Sequence, residues 1–376
     1  MSVTSIKSFK ANPPTLMGPG PSDVDERVLR ALAQPTLGHL DPNFIGLMDE
    51  TKHLLQQIFK TKNEMTMPIS APGSAGMEAC FVNLVEPGDK VIVCQNGVFG
   101  GRMYQNVVRS GGEAILVEDP WGEQTKPEKL MAALAANPDT KIVAFVHAET
   151  STGVENDAKT LCAISKEYGC LTIVDTVTSL AGIPLYVDEW QIDATYSGTQ
   201  KCLSCVPGLS PVSFSELALG KIKNRKSPVQ SWFLDLNLIL GYWGQGTARA
   251  YHHTAPVNSI YAFHESLVAV LQEGIEDSWK RHAQTHDYLR EGLESLGLNF
   301  TVDEAYRLPQ LNVVRIPEGI DDAITRRRLL NEFGLEIGAG LGEFAGRVWR
   351  IGLMGSSCSK TNVDKCISAL REVLGK

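Results

Sequence analysis

The chain reads as an α/β protein with a mostly parallel central sheet, helices on both faces, and a smaller C-terminal α+β unit. Three observations predict this. Between residues 65 and 215, strand-like runs alternate with amphipathic helical stretches, the pattern of β-α-β units. The runs are rich in Val, Ile and Leu with few polar interruptions, which suggests strands buried on both faces. After residue 257 the alternation gives way to one long helical stretch, then to short strands and helices.

In chain order, "PSDVDERVLRALAQ" predicts a helix capped by Ser22, with an acid three residues on at Asp25. "FIGLMDETKHLLQQIF" carries Phe44, Leu47, Met48, Leu54, Leu55, Ile58 and Phe59 on one helical face. The alternating region then pairs "KVIVCQN" with "GRMYQNVVRSGG", "EAILVED" with "KPEKLMAALAAN", and "TKIVAFVHAET" with "DAKTLCAISKEYG". The strands "CLTIVDT" and "IDATYSG" follow. A long helix from Asn258 onward has an expected break at Gly274. "LNVVRIP", "LEIG" and "RVWRIGLM" read as strands, and "DAITRRRLLNEFG" and "TNVDKCISALREVLG" as helices. The expected division is an N-terminal arm over 1–20, a large domain over 21–270 and a small domain over 271–376.

Composition narrows the function. A length of 376 residues accommodates two sizeable cores, and 43% hydrophobic with 21% charged residues is ordinary for a globular protein. The net charge is -8, and "RRR" at 326–328 has acids on both sides, which argues against nucleic acid as a partner. No apolar run reaches the length of a membrane span. "MSVTSIKSFKANPP" lacks the apolar core of a secretory signal, and the absence of arginine makes it a poor organellar leader. The eight cysteines mostly fall in apolar stretches, as buried thiols of a reducing compartment do, so a cytoplasmic location is expected, with organellar targeting left open. Cys202 and Cys205 form a C-x-x-C pair, but no second pair or histidine set stands at zinc-ligand spacing, and no metal is expected.

In parallel sheets, ligands bind beyond the carboxyl ends of the strands. Asp175 ends "LTIVD", His147, Glu149 and Ser151 follow "VAFV", and Lys201 follows "ATYSGTQ". An aspartate and a lysine in one crevice make at least a salt bridge. They also match the needs of pyridoxal phosphate: a lysine for its Schiff base and a carboxylate beside the pyridine nitrogen. "SAPGSAGMEACF" adds a turn at Pro72 and Gly73, then a helix opening with Ser74 and Ala75, whose free N–H groups favour a phosphate. "GLGEFA" at 340–345 loosely fits a dinucleotide-binding loop, but a strand-like run follows where a helix is needed, so a nicotinamide dehydrogenase is set aside. His147 reads as a packed strand-end histidine, and His252 and His253 as structural or solvent-facing.

The motifs "GPGPS", "HAETSTG", "VDTVTSL", "YSGTQK", "YWG…YHHT" and "RIGLMG" together resemble the class V, fold-type I pyridoxal-phosphate aminotransferases, and within them the alanine:glyoxylate (serine:pyruvate) group. The resemblance runs over almost the whole chain, from residue 16 to residue 355. It implies that Lys201 is the Schiff-base lysine and proton shuttle, and that Asp175 pairs with the pyridine nitrogen. It puts Val177 on one face of the cofactor ring and Phe99 on the other, where many relatives carry tryptophan. Gly73, Ser74, Ala75 and Gln200 hold the phosphate, helped by Tyr251 and Thr254 of a partner subunit in a homodimer with shared sites. Ser151 lies by the phenolic oxygen, Arg350 binds the substrate carboxylate, and Gly20 lines the substrate pocket. Ser74 stands where human-type relatives carry histidine. His39 stands where kynurenine-directed insect members carry asparagine, which leaves the donor open. The implied reaction moves the amino group of alanine, or of serine, to glyoxylate. The alternatives in the same fold are serine:glyoxylate or 3-hydroxykynurenine aminotransferases and a cysteine-desulfurase-like lyase. The lyase usually has a histidine before its lysine, where this chain has Gln200.

Overall fold

The computed structural model describes residues 7–244 and 249–376. The first six residues of the expected arm, with the start of the segment weighed as a leader, lie outside the described residues. The main sheet has seven strands in the order 65–69, 210–214, 194–196, 171–175, 142–146, 90–95 and 113–118. All neighbours are parallel except around Ser210–Phe214, which runs antiparallel to both of its partners. The strands at 65–69, 142–146 and 210–214 are buried at every position, as expected where helices cover both faces.

Two expectations need correction. "EAILVED" forms a strand at Glu113–Glu118, but it is the sheet edge and mostly half-buried or exposed. Glutamate at both ends and burial of only Val117 suit an edge strand. The first helix, Glu26–Leu32, is capped by Asp25, whose carboxylate accepts from the Arg27 amide, and not by Ser22. The Ser22 hydroxyl is committed elsewhere, donating to the Lys201 carbonyl at 2.7 Å.

The helix break falls at Gly274, between helices Val257–Glu273 and Ile275–Ser295. Its φ of 94° is open to glycine and strained for other residues. Buried contacts change hands along the second helix. Trp279 still packs with the cluster around the main sheet, whereas Leu289 and Leu293 belong to a second cluster with Trp349, Ile351 and Leu370. That cluster lies against a three-stranded antiparallel sheet ordered 311–315, 348–352, 338–339. Met17, from the N-terminal segment, is buried in it. The Met17 carbonyl accepts from the Gly352 amide at 2.7 Å, and the Asp23 amide donates to Ser357 Oγ at 2.9 Å. Residues 15–23 therefore join the small sheet to the lysine loop that Ser22 holds.

Among the described residues, no helix is long and apolar enough to cross a membrane.

Candidate active site

Strand 90–95 has the strand before it in the chain on neither side: 113–118 flanks one edge and 142–146 the other. The chain thus runs outward to the edge and then returns across 90–95. Crevices open at such reversals, beyond the carboxyl ends of the strands. The segments leaving these two strands, Gly97–Phe99 and His147–Ser151, form its lips. Next along the sheet, Val146, Asp175 and Tyr196 stand side by side in register at the ends of three adjacent strands. All three line a cavity of about 160 Å3, with Gly73, Ser74, Phe99, Arg102, Thr150, Val177, Gln200 and Lys201.

Asp175 is 3% exposed. Burial pushes its carboxyl up to about 6, against the donors that favour its ionised form: Tyr196 Oη at 2.7 Å on Oδ2 and the Val177 amide at 2.8 Å on Oδ1. Lys201 is pushed the other way, down to about 8, first by burial and then by the positive charge of Arg350. Its Nζ donates to the Pro19 carbonyl. Gly20 lies directly against it: a Cβ there would stand 2.5 Å from Nζ and 2.6 Å from Cδ, and the φ of 106° already disfavours other residues. The backbone of the lysine loop is fixed from behind, since the Ser22 amide donates to the Gln200 carbonyl at 2.9 Å.

The helix Gly73–Leu84 begins at Pro72 without a side-chain cap, so its first turn offers unpaired amides to the cavity. Gly73 and Ser74 line it. Ala75, expected among the phosphate contacts, does not line the cavity, because its amide closes the first turn onto the Pro72 carbonyl at 2.7 Å. Gln200 lines the cavity, and its Oε1 is buried without a partner among the described residues. An amide in that place can turn its NH2 toward an anion.

Arg350 occupies the middle strand of the small sheet, paired with Val313 on one side and Gly338 on the other. Its side chain reaches toward the crevice, donating from Nη1 to the Thr150 carbonyl at 3.1 Å and from Nε to the Ala339 carbonyl at 2.7 Å. Burial pulls its guanidinium down to about 10, and the charge of Glu149 acts in the opposite sense. No carboxylate is bonded to it among the described residues, an arrangement suited to receiving an anion.

Several expected residues lie elsewhere. Ser151 is buried beneath the Gly97–Phe99 lip, donating to Glu149 Oε1 at 2.6 Å and accepting from the Val98 amide at 2.9 Å. The cavity is lined instead by its neighbour Thr150. Tyr251 and Thr254 are exposed and outside their own chain's cavity, with their hydroxyls 3.3 Å apart. His39 is half-buried beside them, its ring 5.2 Å from that of Tyr251. It too is absent from the cavity wall. His147 packs edge-on to Trp190, as a structural histidine. His252 is not solvent-facing: it is buried, stacks on Trp232, and shares a 2.8 Å contact with His253, whose other nitrogen meets Ser70 Oγ at 2.7 Å. All eight cysteines are free and buried, and no metal-binding cluster exists among the described residues.

Sequence reasoning assigned no role to Tyr196, Thr150 and Glu149. Tyr196 was within reach, because it ends the strand next to that of Asp175, and pairing the strands end to end puts the two side by side. Glu149 is 0% exposed and burial pushes its carboxyl up to about 7. Its place just past the strand end, beside His147 and Ser151, was the signal that singled it out.

Comparison with known proteins gives a consistent result. Residues 22–343 match the family described as aminotransferase class-V. The chain is similar to the alanine--glyoxylate aminotransferase of Callithrix jacchus, with 40% identity over 96% of this chain and 87% of that protein. It is also similar to the (S)-ureidoglycine--glyoxylate transaminase of Bacillus subtilis (strain 168), with 37% identity over 96% of this chain and 90% of that one. Among solved structures, the alanine--glyoxylate aminotransferase from Nostoc sp. has a TM-score of 0.96 and 44% identity, covering 98% of this chain and 97% of that one.

Proposed function

The chain belongs to the class-V aminotransferase family, and we propose that it moves the amino group of alanine to glyoxylate, giving pyruvate and glycine. It is a transaminase, and its cofactor is pyridoxal phosphate. The residues present fit that group: an uncapped helix start and a cavity-lining Gln200, whose buried Oε1 has no partner among the described residues, for the phosphate, with a buried carboxylate and an amine in the same cavity. Gly73, Ser74 and Gln200 would hold the phosphate, and Phe99 and Val177 would flank the ring. Bound there, the cofactor supplies a ring that accepts the electron pair left on the substrate's α-carbon.

The chain's own residues do the rest. Asp175, favoured in its ionised form by Tyr196 and Val177, would hold a proton on the pyridine nitrogen. Lys201 Nζ, with a pKa lowered to about 8, is a base able to take the α-proton near neutral pH. Arg350 receives the substrate carboxylate and orients the Cα–H bond. The observation that carries the reading is this buried, carboxylate-free guanidinium beside Lys201. It would select an α-amino acid by its carboxylate, from a place fixed by the Thr150 carbonyl at the cavity wall.

The exposure of Tyr251 and Thr254 on their own chain supports a homodimer in which each pair serves the partner's phosphate. His39, beside Tyr251, would then face the partner's site as well. Eight free thiols suit the cytoplasm. The B. subtilis relative favours a second donor, ureidoglycine. A panel of alanine, serine, ureidoglycine and 3-hydroxykynurenine with glyoxylate as acceptor decides the donor. Alanine is expected to give the highest kcat/KM. No glycine formed from alanine, with turnover of another donor, would overturn the assignment, and sulfide released from cysteine would support a lyase.

A further inference from the structure

The helix Val98–Arg109 starts at Gly97 with no side-chain cap of its own. Its first amides are nevertheless paired, from the opposite lip of the crevice. The Val98 amide donates to Ser151 Oγ at 2.9 Å, and the Phe99 amide to Glu149 Oε2 at 3.2 Å. The other oxygen of Glu149 accepts from the Ser151 amide at 3.0 Å and its hydroxyl at 2.6 Å. Gly97 makes room for this: a Cβ there would lie 2.5 Å from both Glu149 Cγ and Ser151 Oγ. Glu149 is itself immobilised, in a two-residue hairpin ladder with Val154–Glu155, and its carbonyl accepts from the Gly153 amide at 2.8 Å. Within the same helix turn, the Arg102 guanidinium, also at the cavity wall, sits 4.9 Å from the centre of the Phe99 ring.

Burying a carboxylate completely is costly, and an ordinary helix start is capped well by a neutral serine or threonine. The carboxylate is paired with the Phe99 amide at the positive end of a helix and with two donors of Ser151, which favour the ionised form against the burial that pushes it up. What the arrangement fixes is the backbone of Phe99, the residue whose ring lines the cofactor cavity. We infer that Glu149, acting with Ser151, is a positioning residue that grips the first turn of this helix and thereby sets the Phe99 ring against pyridoxal phosphate. The inference rests on the aminotransferase reading for its cofactor and on geometry alone for its grip.

Two measurements separate these parts. In the apo protein, Glu149→Gln replaces an acceptor by an NH2 group facing one of its donors. Hydrogen–deuterium exchange over residues 98–101 should then be about tenfold faster. In the loaded protein, the same variant should weaken cofactor binding about tenfold and shrink the visible circular-dichroism band of the bound cofactor. A double-mutant cycle tests the route. If Glu149 acts through the ring, Glu149→Gln should change cofactor affinity by less than about twofold once Phe99 is alanine. Full additivity of the two changes overturns the inference, as does unchanged exchange at 98–101. Should Glu149→Gln fail to fold, Ser151→Ala removes the acceptor of the Val98 amide and faces the same outcomes. A wild-type protein with slow exchange at 98–101 that binds no pyridoxal phosphate would sink the cofactor reading while leaving the grip in place.

Discussion

Tyr196 donates its phenolic hydrogen to Asp175 Oδ2 at 2.7 Å from the paired position on the neighbouring strand. Without it, Asp175 would keep the Val177 amide as its one hydrogen-bond donor, with the charges of Lys201 and His147, against the cost of burial, and its carboxyl would rise further above the usual range. A carboxyl that protonates more readily holds the pyridine proton less well. Tyr196→Phe should therefore lower kcat by about tenfold to a hundredfold, the range for one hydrogen bond to a charged group, with little change in cofactor affinity. Asp175→Asn should still bind cofactor and lose most turnover. Steady-state kinetics beside cofactor titration reads both variants, and a fully active Asp175→Asn would refute the electron-sink role.

The main sheet and the ends of its strands were legible because buried parallel strands leave long Val, Ile and Leu runs. Ser210–Phe214 was not singled out, since Pro211 and two serines, Ser210 and Ser213, break that signal in a strand held between two antiparallel neighbours. Lys201, Asp175 and Gly73 line one cavity, and their positions at strand ends and at a helix start were readable from the chain. Ser151 was named in place of Thr150 because "ETSTG" offers adjacent hydroxyls, and only the hairpin at Ala148–Glu149 determines which one faces the cavity. Ala75 lies off the cavity wall for a similar local reason, the tight first turn that uses its amide.

Lys201 gives a pH dependence with a definite sign. Its neutral amine is the form that captures the cofactor, and in the apo protein the amine titrates near 8. The rate of cofactor capture should rise with pH up to about 8 and level off above it. Arg350→Gln removes one of the two causes of that depression, so the inflection should move to higher pH. Stopped-flow absorbance on apo protein measures this. Borohydride treatment of the loaded protein should label Lys201, and a label on another lysine would displace the assignment.

Arg350→Lys keeps the charge and loses the planar fork. The values of kcat/KM for all α-amino acid donors should fall together, by about tenfold to a thousandfold if roughly 1.4–4 kcal/mol is lost. Unchanged kcat/KM would place carboxylate binding elsewhere.

Gly20→Ala tests the N-terminal segment as part of the site. The new Cβ must displace Lys201 or the backbone at Pro19, whose carbonyl holds Nζ. Turnover should fall by at least about tenfold, while the helix and sheet content seen by circular dichroism stays constant. Wild-type kinetics in this variant would show that the segment can retreat from the lysine.

The last prediction concerns assembly. Tyr251 is 62% exposed and Thr254 is also exposed, and neither reaches the cavity of its own chain. If they complete the partner's phosphate site, a two-fold dimer holds two identical sites, each built from both chains. Lys201→Ala inactivates a site from one side, and Tyr251→Phe with Thr254→Ala weakens it from the other. In a hybrid dimer, one site collects both defects and the other collects neither. Random equal mixing makes roughly half the dimers hybrid, so about a quarter of all sites should be intact. Co-refolding the two variants should then restore activity that neither shows alone, provided that the Tyr251/Thr254 variant is nearly inactive by itself. Differently tagged chains verify that hybrids have formed. Hybrids as inactive as their parents would mean that Tyr251 and Thr254 do not act across the dimer, and their exposure would need another partner.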